Sequence, residues 1–489
     1  MVVIGADPLT IEDVVRVARA GDQTQITGGA RMRIAEGRAR LVELLKRGER
    51  IYGVNTGVGG NVGISLPPEE MEQLQLNLVT YLGCATGAPL PNDVVRAAMA
   101  LRIATFATGT SAVRNEVVDT LVALLNKGVT PVVPRYGSVG ASGDLMPSAY
   151  VARVLVGQGE VEYKGQRMPA LDALRETRIY PIGFAPKEAL ALINGTTFMT
   201  AVAALLYVDL FRVLRALLQA IALTIEAMLA PTLPFDPWVH DRKGHPGQIA
   251  VAAYLRSMLE GSQFTRESGG QSCYSLRCVP QGLGQVWEGL ETARPTVERE
   301  INSANDNPLI DPQTGALYKA GNFYGGHIAR LLDGWKIDIA AMANWGNSLL
   351  ALLVDERFND GLPANLAPKP GLNSGFKSVQ LSVTSLTCAI RQMAGPSSIH
   401  SLPTEQYNQD VVSLGMHAAV TAMDALECLR NEVAMLLLAG AQAVDLRGGP
   451  ERLGKGSSEA YKMVRELCAF QEKDAALERE IAAMSAKLR

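Results

Sequence analysis

The chain has 489 residues, of which 47% are hydrophobic and 19% are charged, so intrinsic disorder is excluded and a large core is possible. Lys and Arg total 46 and Asp and Glu total 49, for a net charge of −3, which excludes an overall basic field that would favour nucleic acid or an anionic membrane. The six cysteines are scattered without a Cys-x-x-Cys pair, which indicates reduced thiols and a cytoplasmic protein.

No targeting or membrane segment is predicted. The first residues have no basic region and no long apolar run, unlike a signal peptide. The most apolar stretch, residues 201–230, is interrupted by charges. The ten residues between Arg215 and Glu226 are fewer than the ~20 that a membrane span needs. We therefore expect a soluble protein with no membrane and no nucleic acid as partner.

The amino-terminal part alternates short helical patterns with glycine-rich turns. Thr10–Asp13 resembles a capping box that opens a helix. Residues 51–63 are too rich in glycine for a regular element and predict a loop that closely approaches another group. Residues 91–127 predict a helix broken near Gly109, and a second glycine-rich loop follows at 136–144.

The remainder of the chain has a helical pattern. Three ranges carry apolar residues at three- and four-residue spacing: 201–230, 334–357 and 416–446. They exceed the mean globular helix of ~11–12 residues and predict long helices in a bundle. Residues 457–489 predict one further amphipathic helix. The expected fold is mainly all-α, with a loop-rich amino-terminal domain at 1–200 and a long-helix bundle domain at 201–489.

Several familiar functional motifs are incomplete or absent in this sequence. Gly449–Lys455 has the spacing of a phosphate-binding loop, but Gly456 stands where Ser or Thr would bind magnesium. A nucleophile elbow around Ser142 lacks its last glycine, because Asp144 occupies that position. The five histidines include no His-Glu-x-x-His, so no metal site is predicted.

The tripeptide Ala141-Ser142-Gly143 carries a distinctive chemical possibility. In a tight turn the Gly143 nitrogen can be pressed onto the Ala141 carbonyl carbon, because glycine has no side chain to oppose the approach. Loss of two water molecules then gives an imidazolone ring with an exocyclic methylidene made from Ser142, which is a strong electrophile. The tripeptide alone is a weak signal, since it also occurs by chance.

Over nearly its whole length the chain resembles the aromatic amino acid ammonia-lyase family, which includes histidine, phenylalanine and tyrosine lyases and related aminomutases. Eight motifs occur in family order: YGVNTG (52–57), GSVGASGDL (137–145), LINGT (192–196), HPGQ (245–248), YSLRCVPQ (274–281), NSANDNPL (302–309), GNF (321–323) and NQDVVSLG (408–415). The resemblance implies the family's all-α fold and a homotetramer whose active sites mix residues from three subunits. It also implies a 4-methylideneimidazole-5-one group formed from Ala141, Ser142 and Gly143, without an external cofactor.

The resemblance further implies roles for individual residues. The methylidene derived from Ser142 captures the substrate amine, or in an older proposal the ring, and Tyr52 is the base that takes the β-proton. A phenol titrates near ~10, so this role requires a lowered pKa or a nearby positive charge. Arg277 matches the carboxylate clamp, in which a planar guanidinium grips the substrate through two hydrogen bonds.

Four other residues match family positions near the substrate. Asn194 and Tyr274 lie beside the imidazolone in the family, although either could be an ordinary buried polar group here. Phe323 matches an aromatic that packs on the substrate, with a core phenylalanine as the alternative. Gln271 matches a carboxylate-side position. Here Ser272 follows it in place of the usual Asp, which leaves the support of Arg277 open.

Three places bear on substrate selectivity, and they disfavour histidine. Leu82, after Tyr81, supplies no partner for an imidazole, whereas histidine lyases resemble Ser-His there. Gln409 stands where histidine lyases carry a glutamate, in a segment that begins at Glu405 and resembles phenylalanine-type lyases. Lys377 ends a Gly-Phe-Lys sequence that also resembles the phenylalanine type. Lys377, Glu405 and Gln409 are therefore expected to bind substrate.

L-phenylalanine, converted to trans-cinnamate, is the favoured substrate, and several alternatives stay open. The hydroxyl of Tyr81 could bond a substrate 4-hydroxyl or exclude it, so tyrosine or dual activity is the first alternative. The sequence Gly83–Gly87 departs from common lyase forms and keeps a 2,3-aminomutase open. The fumarase–aspartase superfamily lacks support, because its serine loop continues differently after Pro147. A non-catalytic homologue would be expected to lose Ser142, and it is present.

Overall fold

The computed structural model describes residues 1–266 and 271–489. In these residues helices dominate, and every strand is four residues or shorter. The predicted mainly all-α fold is confirmed.

In chain order, the first half contains β1 Val2–Ile4, α1 Ile11–Val15, β2 Thr24–Ile26, α2 Gly28–Lys46, α3 Met71–Tyr81, β3 Thr86–Pro89, α4 Asn92–Ala107, α5 Asn115–Lys127, β4 Thr130–Pro131, β5 Pro134–Tyr136, α6 Leu145–Leu155, β6 Glu160–Tyr163, β7 Gln166–Pro169, α7 Ala170–Thr177, α8 Glu188–Ile193 and α9 Thr197–Ala227. The second half contains α10 Pro237–Lys243, α11 Pro246–Met258, α12 Tyr274–Arg277, α13 Val279–Ile301, β8 Leu309–Ile310, β9 Leu317–Tyr318, α14 Gly326–Val354, α15 Lys377–Met393, α16 Gly415–Leu446, α17 Lys455–Arg465 and α18 Glu478–Lys487. The strands pair locally: β1 with β2 in parallel, and β3 with β5, β4 with β6, β6 with β7 and β8 with β9 antiparallel.

The described residues divide into two compact units, each assembled from three chain segments. The first unit comprises Met1–Leu206, Arg294–Asp333 and Pro396–Val420, and the second comprises Tyr207–Ala293, Gly334–Gly395 and Thr421–Arg489. Four long helices, α9, α13, α14 and α16, contribute a segment to each unit. The expected boundary between domains near residue 200 stays a prediction.

Local sequence signals account for the helices of the first unit. Thr10 caps α1 through the predicted capping box, in which its hydroxyl accepts the Asp13 amide and the Asp13 carboxylate accepts the Thr10 amide. The predicted break near Gly109 separates α4 from α5. Gly109 has φ +83°, and a Cβ on Gly37 of α2 would lie 1.9 Å from its carbonyl oxygen. Glycine at position 37 therefore lets α2 pack directly against the turn.

The long-helix prediction is confirmed: α9 and α16 begin within four residues of the predicted positions, and α14 begins eight residues earlier than predicted. Helices α9, α14 and α16 have 31, 29 and 32 residues. Most residues of α9 are fully buried around its whole circumference, which explains why its sequence is apolar with little amphipathic pattern.

The prediction of one helix over residues 457–489 is wrong. Helices α17 and α18 are separated by residues 466–477. Within this connection the Gln471 amide donates to the Gln442 side chain (3.0 Å), and the Asp474 carboxylate accepts the amides of Ser374 and Gly375 (2.9 and 2.8 Å). These contacts with distant parts of the second unit keep the segment out of a helix, and local helical propensity does not anticipate them.

Among the described residues one helix, Gly326–Val354, has the length and composition of a membrane span. Core helices of soluble proteins meet the same criteria, so the observation has little weight by itself.

Candidate active site

A cavity of about 310 Å³ lies within the first unit, where five segments of its chain converge. They are the loop after Ile51, the end of α3, the glycine-rich turn before α6, the end of α8 and the segment 404–409. The cavity brings together nine residues that the sequence predicted for the site: Tyr52, Tyr81, Leu82, Ala141, Ser142, Gly143, Asn194, Glu405 and Gln409. Its apolar lining includes Val58, Leu78, Leu145, Met146, Leu190 and Ile193.

The Ala141-Ser142-Gly143 tripeptide forms a tight turn that is held by backbone contacts. Gly143 has φ +74°, in the left-handed region that favours glycine. The Gly195 amide donates to the Ser142 carbonyl oxygen (3.0 Å), and the Gly195 carbonyl accepts the Asp144 amide (2.7 Å). A Cβ on Gly143 would lie 2.1 Å from the Gly195 carbonyl oxygen, so no other residue fits without displacing the backbone.

Gly195 is itself enclosed on its other side. It has φ +108°, and a Cβ there would lie 2.0 Å from the Asn305 carbonyl oxygen. Backbone at residues 143, 195 and 305 is therefore stacked in direct contact. These backbone contacts fix the position of the turn that carries Ser142.

Asp144 also anchors this turn, although it was not predicted as a residue of the site. Its buried carboxylate accepts the Met199 amide (2.9 Å) in the first turn of α9. Burial raises the pKa of this carboxyl to about 7, although amide hydrogen bonds from Met199 and Phe198 act in the opposite direction. Its position directly after the tripeptide was the only sequence signal for this role.

Tyr52 lies on the glycine-rich loop, and its hydroxyl accepts a hydrogen bond from the Gly59 amide (2.9 Å). Burial raises the pKa of the Tyr52 phenol, and the Glu405 carboxylate raises it further, whereas the Gly59 amide lowers it. The surroundings supplied by one chain therefore oppose ionisation of Tyr52.

Glu405 reaches the same loop from an unusual turn. Glu405, Gln406 and Tyr407 have φ of 50°, 54° and 62°, so three consecutive non-glycine residues occupy the left-handed region. The turn brings the Glu405 carboxylate to the Gly60 amide (3.4 Å), and a Cβ on Gly59 would lie 2.3 Å from the same carboxylate. Glycine at position 59 therefore allows the carboxylate to approach the loop.

Gln409 joins the segment 404–409 to the serine. Its side-chain oxygen accepts the Thr404 hydroxyl (3.0 Å), and its amide nitrogen lies 3.4 Å from the Ser142 hydroxyl. Leu82 is buried at the cavity wall, whereas Tyr81 is 55% exposed in the chain. The wall at these positions is thus aliphatic and phenolic, with a neutral amide near Ser142.

Asn194, at the end of α8, is fixed by the segment Asp306–Asn307. Its side-chain nitrogen donates to the Asn307 carbonyl (2.7 Å) and lies 3.5 Å from the Asp306 carboxylate. Because its nitrogen is bound on this side, the side-chain oxygen is the atom left to act in the cavity that Asn194 lines.

Five predicted residues do not line this cavity. Phe323 belongs to the first unit, while Gln271, Tyr274, Arg277 and Lys377 belong to the second. Arg277 is braced by the Ser272 carbonyl, which accepts its Nε at 3.0 Å, and its guanidinium stacks on the Tyr274 ring at 4.6 Å. The backbone of Ser272 therefore provides support that the side chain of an Asp was expected to give. Tyr274 is 71% exposed and Arg277 is half-buried.

Over nearly its full length, the chain is similar to known aromatic amino acid lyases and aminomutases. The family model described as "Aromatic amino acid lyase" matches residues 9–466. A histidine ammonia-lyase from Anaeromyxobacter sp. (strain K) is 39% identical over 495 residues, covering 99% of this chain and 97% of the relative. The solved structure of a tyrosine aminomutase from Streptomyces globisporus has a TM-score of 0.95 at 32% identity, covering 100% of this chain and 96% of that one. A phenylalanine aminomutase from Pantoea agglomerans has the same TM-score and identity, covering 99% of this chain and 98% of that one. The chain therefore belongs to the aromatic amino acid lyase family and is a carbon–nitrogen lyase.

Proposed function

We propose that this protein is an ammonia-lyase that eliminates ammonia from an aromatic L-amino acid, with L-phenylalanine as its preferred substrate. The observation that carries the proposal is the position of Ser142 on a constrained glycine turn inside a cavity that also holds Tyr52 and Asn194. The cavity thus combines a precursor for an electrophile, a candidate base and an amide acceptor.

The residues at the turn fit a 4-methylideneimidazole-5-one group. Ring closure requires a residue without a side chain at position 143, and the Gly195 carbonyl leaves room for no other. It also requires a serine that can lose its hydroxyl, and Ser142 lines the cavity. Ala141, Ser142 and Gly143 would form the group, which would supply an electrophilic carbon for the substrate amine and so assist its departure. No external cofactor is proposed.

The remaining roles belong to the side chains of the cavity. Glu405 is a carboxylate near Tyr52 and would pair with the substrate ammonium, while the Asn194 oxygen would accept from the same amine. Tyr52 would take the β-proton once a cation offsets the burial that raises its pKa. We propose that this cation is Arg277, supplied with Tyr274 by another subunit of a homotetramer, where it would also bind the substrate carboxylate. Gln271, Phe323 and Lys377 are proposed to complete the substrate site in that assembly.

The case for phenylalanine rests on the cavity wall. Leu82 is buried there and offers no partner for an imidazole, and Gln409 presents an amide that is already paired with Thr404. A protonated imidazole would find no carboxylate partner at Leu82 or at Gln409. A buried polar group without a partner costs roughly 1–3 kcal/mol, so an unsubstituted ring is better accommodated.

Histidine is the second candidate, because a full-length relative at 39% identity is named histidine ammonia-lyase. Tyrosine, through the Tyr81 hydroxyl, and 2,3-aminomutase activity are further alternatives, and two of the similar solved structures are a tyrosine and a phenylalanine aminomutase. A cytoplasmic location, with no membrane or nucleic acid partner, is proposed from composition and charge.

Separate incubations with L-phenylalanine, L-tyrosine and L-histidine test the assignment, with ammonia and the conjugated acrylate measured by chromatography. We expect cinnamate and ammonia from phenylalanine, and an intact mass lower than the sequence by two water molecules. Urocanate as the main product would transfer the assignment to histidine, and a β-amino acid with little ammonia would indicate an aminomutase. A Ser142→Ala control should show neither product nor the mass deficit.

A further inference from the structure

A buried ion pair lies behind the candidate site, outside the cavity lining. The Lys187 ammonium donates to the Asp306 carboxylate at 2.7 Å, and both side chains are completely buried. Two buried charges are costly to remove from water, so such a pair is rarely explained by stability alone. Neither residue lines the cavity, and the proposed chemistry assigns no step to them.

The pair is tied to both ends of the short helix α8. Lys187 immediately precedes the helix and has φ +84°, a left-handed conformation that costs a lysine of order 1–3 kcal/mol unless its surroundings hold it. Asn194 ends the same helix and donates to the Asn307 carbonyl at 2.7 Å. The segment Asp306–Asn307 therefore binds the residue before α8 and the residue after it.

The two oxygens of the Asp306 carboxylate have different partners at the two ends of α8. One oxygen accepts Lys187, while the other accepts the Asn307 amide at 2.6 Å and lies 3.5 Å from the Asn194 side-chain nitrogen. Asp306 thus fixes the peptide whose carbonyl binds Asn194. It also presents only acceptors to that nitrogen, which makes the Asn194 amide keep its oxygen toward the cavity.

We propose that Lys187 and Asp306 are positioning residues, which hold Asn194 with its side-chain oxygen directed at the reacting centre and hold the adjacent Gly195 peptide against the Ala141–Gly143 turn. The inference rests on the proposed function for its catalytic consequence. Its structural part, the orientation of Asn194 and the position of Gly195, does not depend on which substrate is used.

Asp306→Asn is the direct test, because an asparagine keeps the size of the side chain and replaces one acceptor by a donor. With its oxygen toward Lys187, the new amide group would face the Asn307 and Asn194 donors and displace the Asn194 side chain. We expect kcat to fall about 100-fold, as expected when a reacting group is misplaced by about 1 Å. The crystal structure of D306N should show the Asn194 amide turned from its wild-type orientation.

A double-mutant cycle separates positioning from a general effect on folding. In an Asn194→Ala background, D306N should change kcat by less than about twofold when kcat is expressed per molecule that carries the two-water mass deficit, since residues acting through one another are not additive. Equal losses in both backgrounds would overturn the proposal. Asp209→Asn is the matched control, because it breaks another buried pair, with Arg430 at 2.6 Å in the second unit. D209N should lower the melting temperature without altering kcat.

Two further variants cover the case in which D306N does not fold. Lys187→Arg retains the charge and should keep most of the activity. The neutral pair Lys187→Met with Asp306→Leu removes both charges together, which preserves stability better than removing one. It should fold, yet show the loss in kcat and a smaller fraction of protein with the two-water mass deficit. A folded neutral pair with wild-type kcat and a complete mass deficit would refute the inference. A wild type that is inactive on every aromatic amino acid would instead refute the proposed function, with the Asn194 orientation still decided by crystallography.

Discussion

The Gly59 amide donates a hydrogen bond to the Tyr52 hydroxyl at 2.9 Å, so the loop that carries the candidate base also binds its oxygen. An amide donor stabilises a phenolate, whereas burial and the nearby Glu405 carboxylate disfavour it. The Gly59 amide therefore lowers the pKa of Tyr52, whereas the Glu405 carboxylate raises it.

A Glu405→Gln variant should move the pH dependence of the reaction. Removing this negative charge lowers the pKa of Tyr52, so the fraction of phenolate at a given pH increases. The limb of kcat/KM that rises with pH should shift to lower pH, even if the maximum rate falls because the substrate ammonium loses a partner. A pH–rate profile of E405Q beside wild type measures the shift. Tyr52→Phe should have no such limb, and an unshifted E405Q midpoint would contradict the electrostatic coupling.

Gly59→Ala should reduce activity far more than stability. Its Cβ would lie 2.3 Å from the Glu405 carboxylate, at a φ of +55° that alanine rarely adopts. The loop must then separate from the Glu405 turn, and Tyr52 loses its amide donor. We expect kcat to fall about 100-fold, with a small change in melting temperature. Gly63→Ala on the same loop has open space around its Cβ and serves as the control. Equal kinetic effects at both glycines would show that the approach of Glu405 is unimportant.

Stability should depend on pH through Glu432, which lies buried in α16. Its carboxylate accepts the Thr387 hydroxyl (3.0 Å), and its other oxygen has no partner among the described residues. Burial raises its pKa to about 8, so between pH 4.5 and 8 the folded state retains a proton that the unfolded state releases. Stability from this group is therefore lost as the pH rises through that interval.

A Glu432→Gln variant removes that titration. It should match wild type near pH 5 and become more stable than wild type by pH 8, by on the order of 3 kcal/mol at about 1.36 kcal/mol per pKa unit. Chemical denaturation at the two pH values measures the difference. A constant difference between the variants at both pH values would mean that Glu432 is ionised in the folded state.

Selectivity should respond to the two positions that distinguish this cavity wall. Leu82→His with Gln409→Glu introduces an imidazole partner and a carboxylate near Ser142. We expect the ratio of kcat/KM for histidine over phenylalanine to rise at least about tenfold, the lower range for one polar contact in a pocket. Tyr81→Phe is the comparison, since it should alter the preference between tyrosine and phenylalanine only. An unchanged ratio would place the determinants of selectivity elsewhere in the site.

The long helices were predictable because their apolar character is continuous over many residues, and burial on all sides of α9 accounts for its length of apolar sequence. The prediction of helix at residues 466–477 is wrong because Asp474 is held by the amides of Ser374 and Gly375, which lie 100 and 99 residues away in the sequence. Local propensity has no information about such a partner.

The residues of the site were predicted mainly through the resemblance to the ammonia-lyase family, and glycine content predicted the loops that carry two of them. The glycine turn at Ser142 and the loop at Tyr52 were identified, since glycine marks both. The left-handed turn at Glu405–Tyr407 and the left-handed Lys187 carry no such mark, because neither contains glycine. These conformations are imposed by tertiary contacts, and they became visible only in the folded chain.

The stacked backbone at Gly143, Gly195 and Asn305 has an evolutionary consequence. Each approach excludes a side chain at Gly143 or Gly195, so a substitution at either glycine must displace backbone. Residues such as Tyr81, Leu82 and Gln409 stand on other segments of the cavity and do not take part in that stack. Substitutions at these cavity-wall residues can therefore change the preferred substrate while the turn at Ser142 keeps its shape. The scaffold is for this reason a favourable starting point for diversification and for engineering.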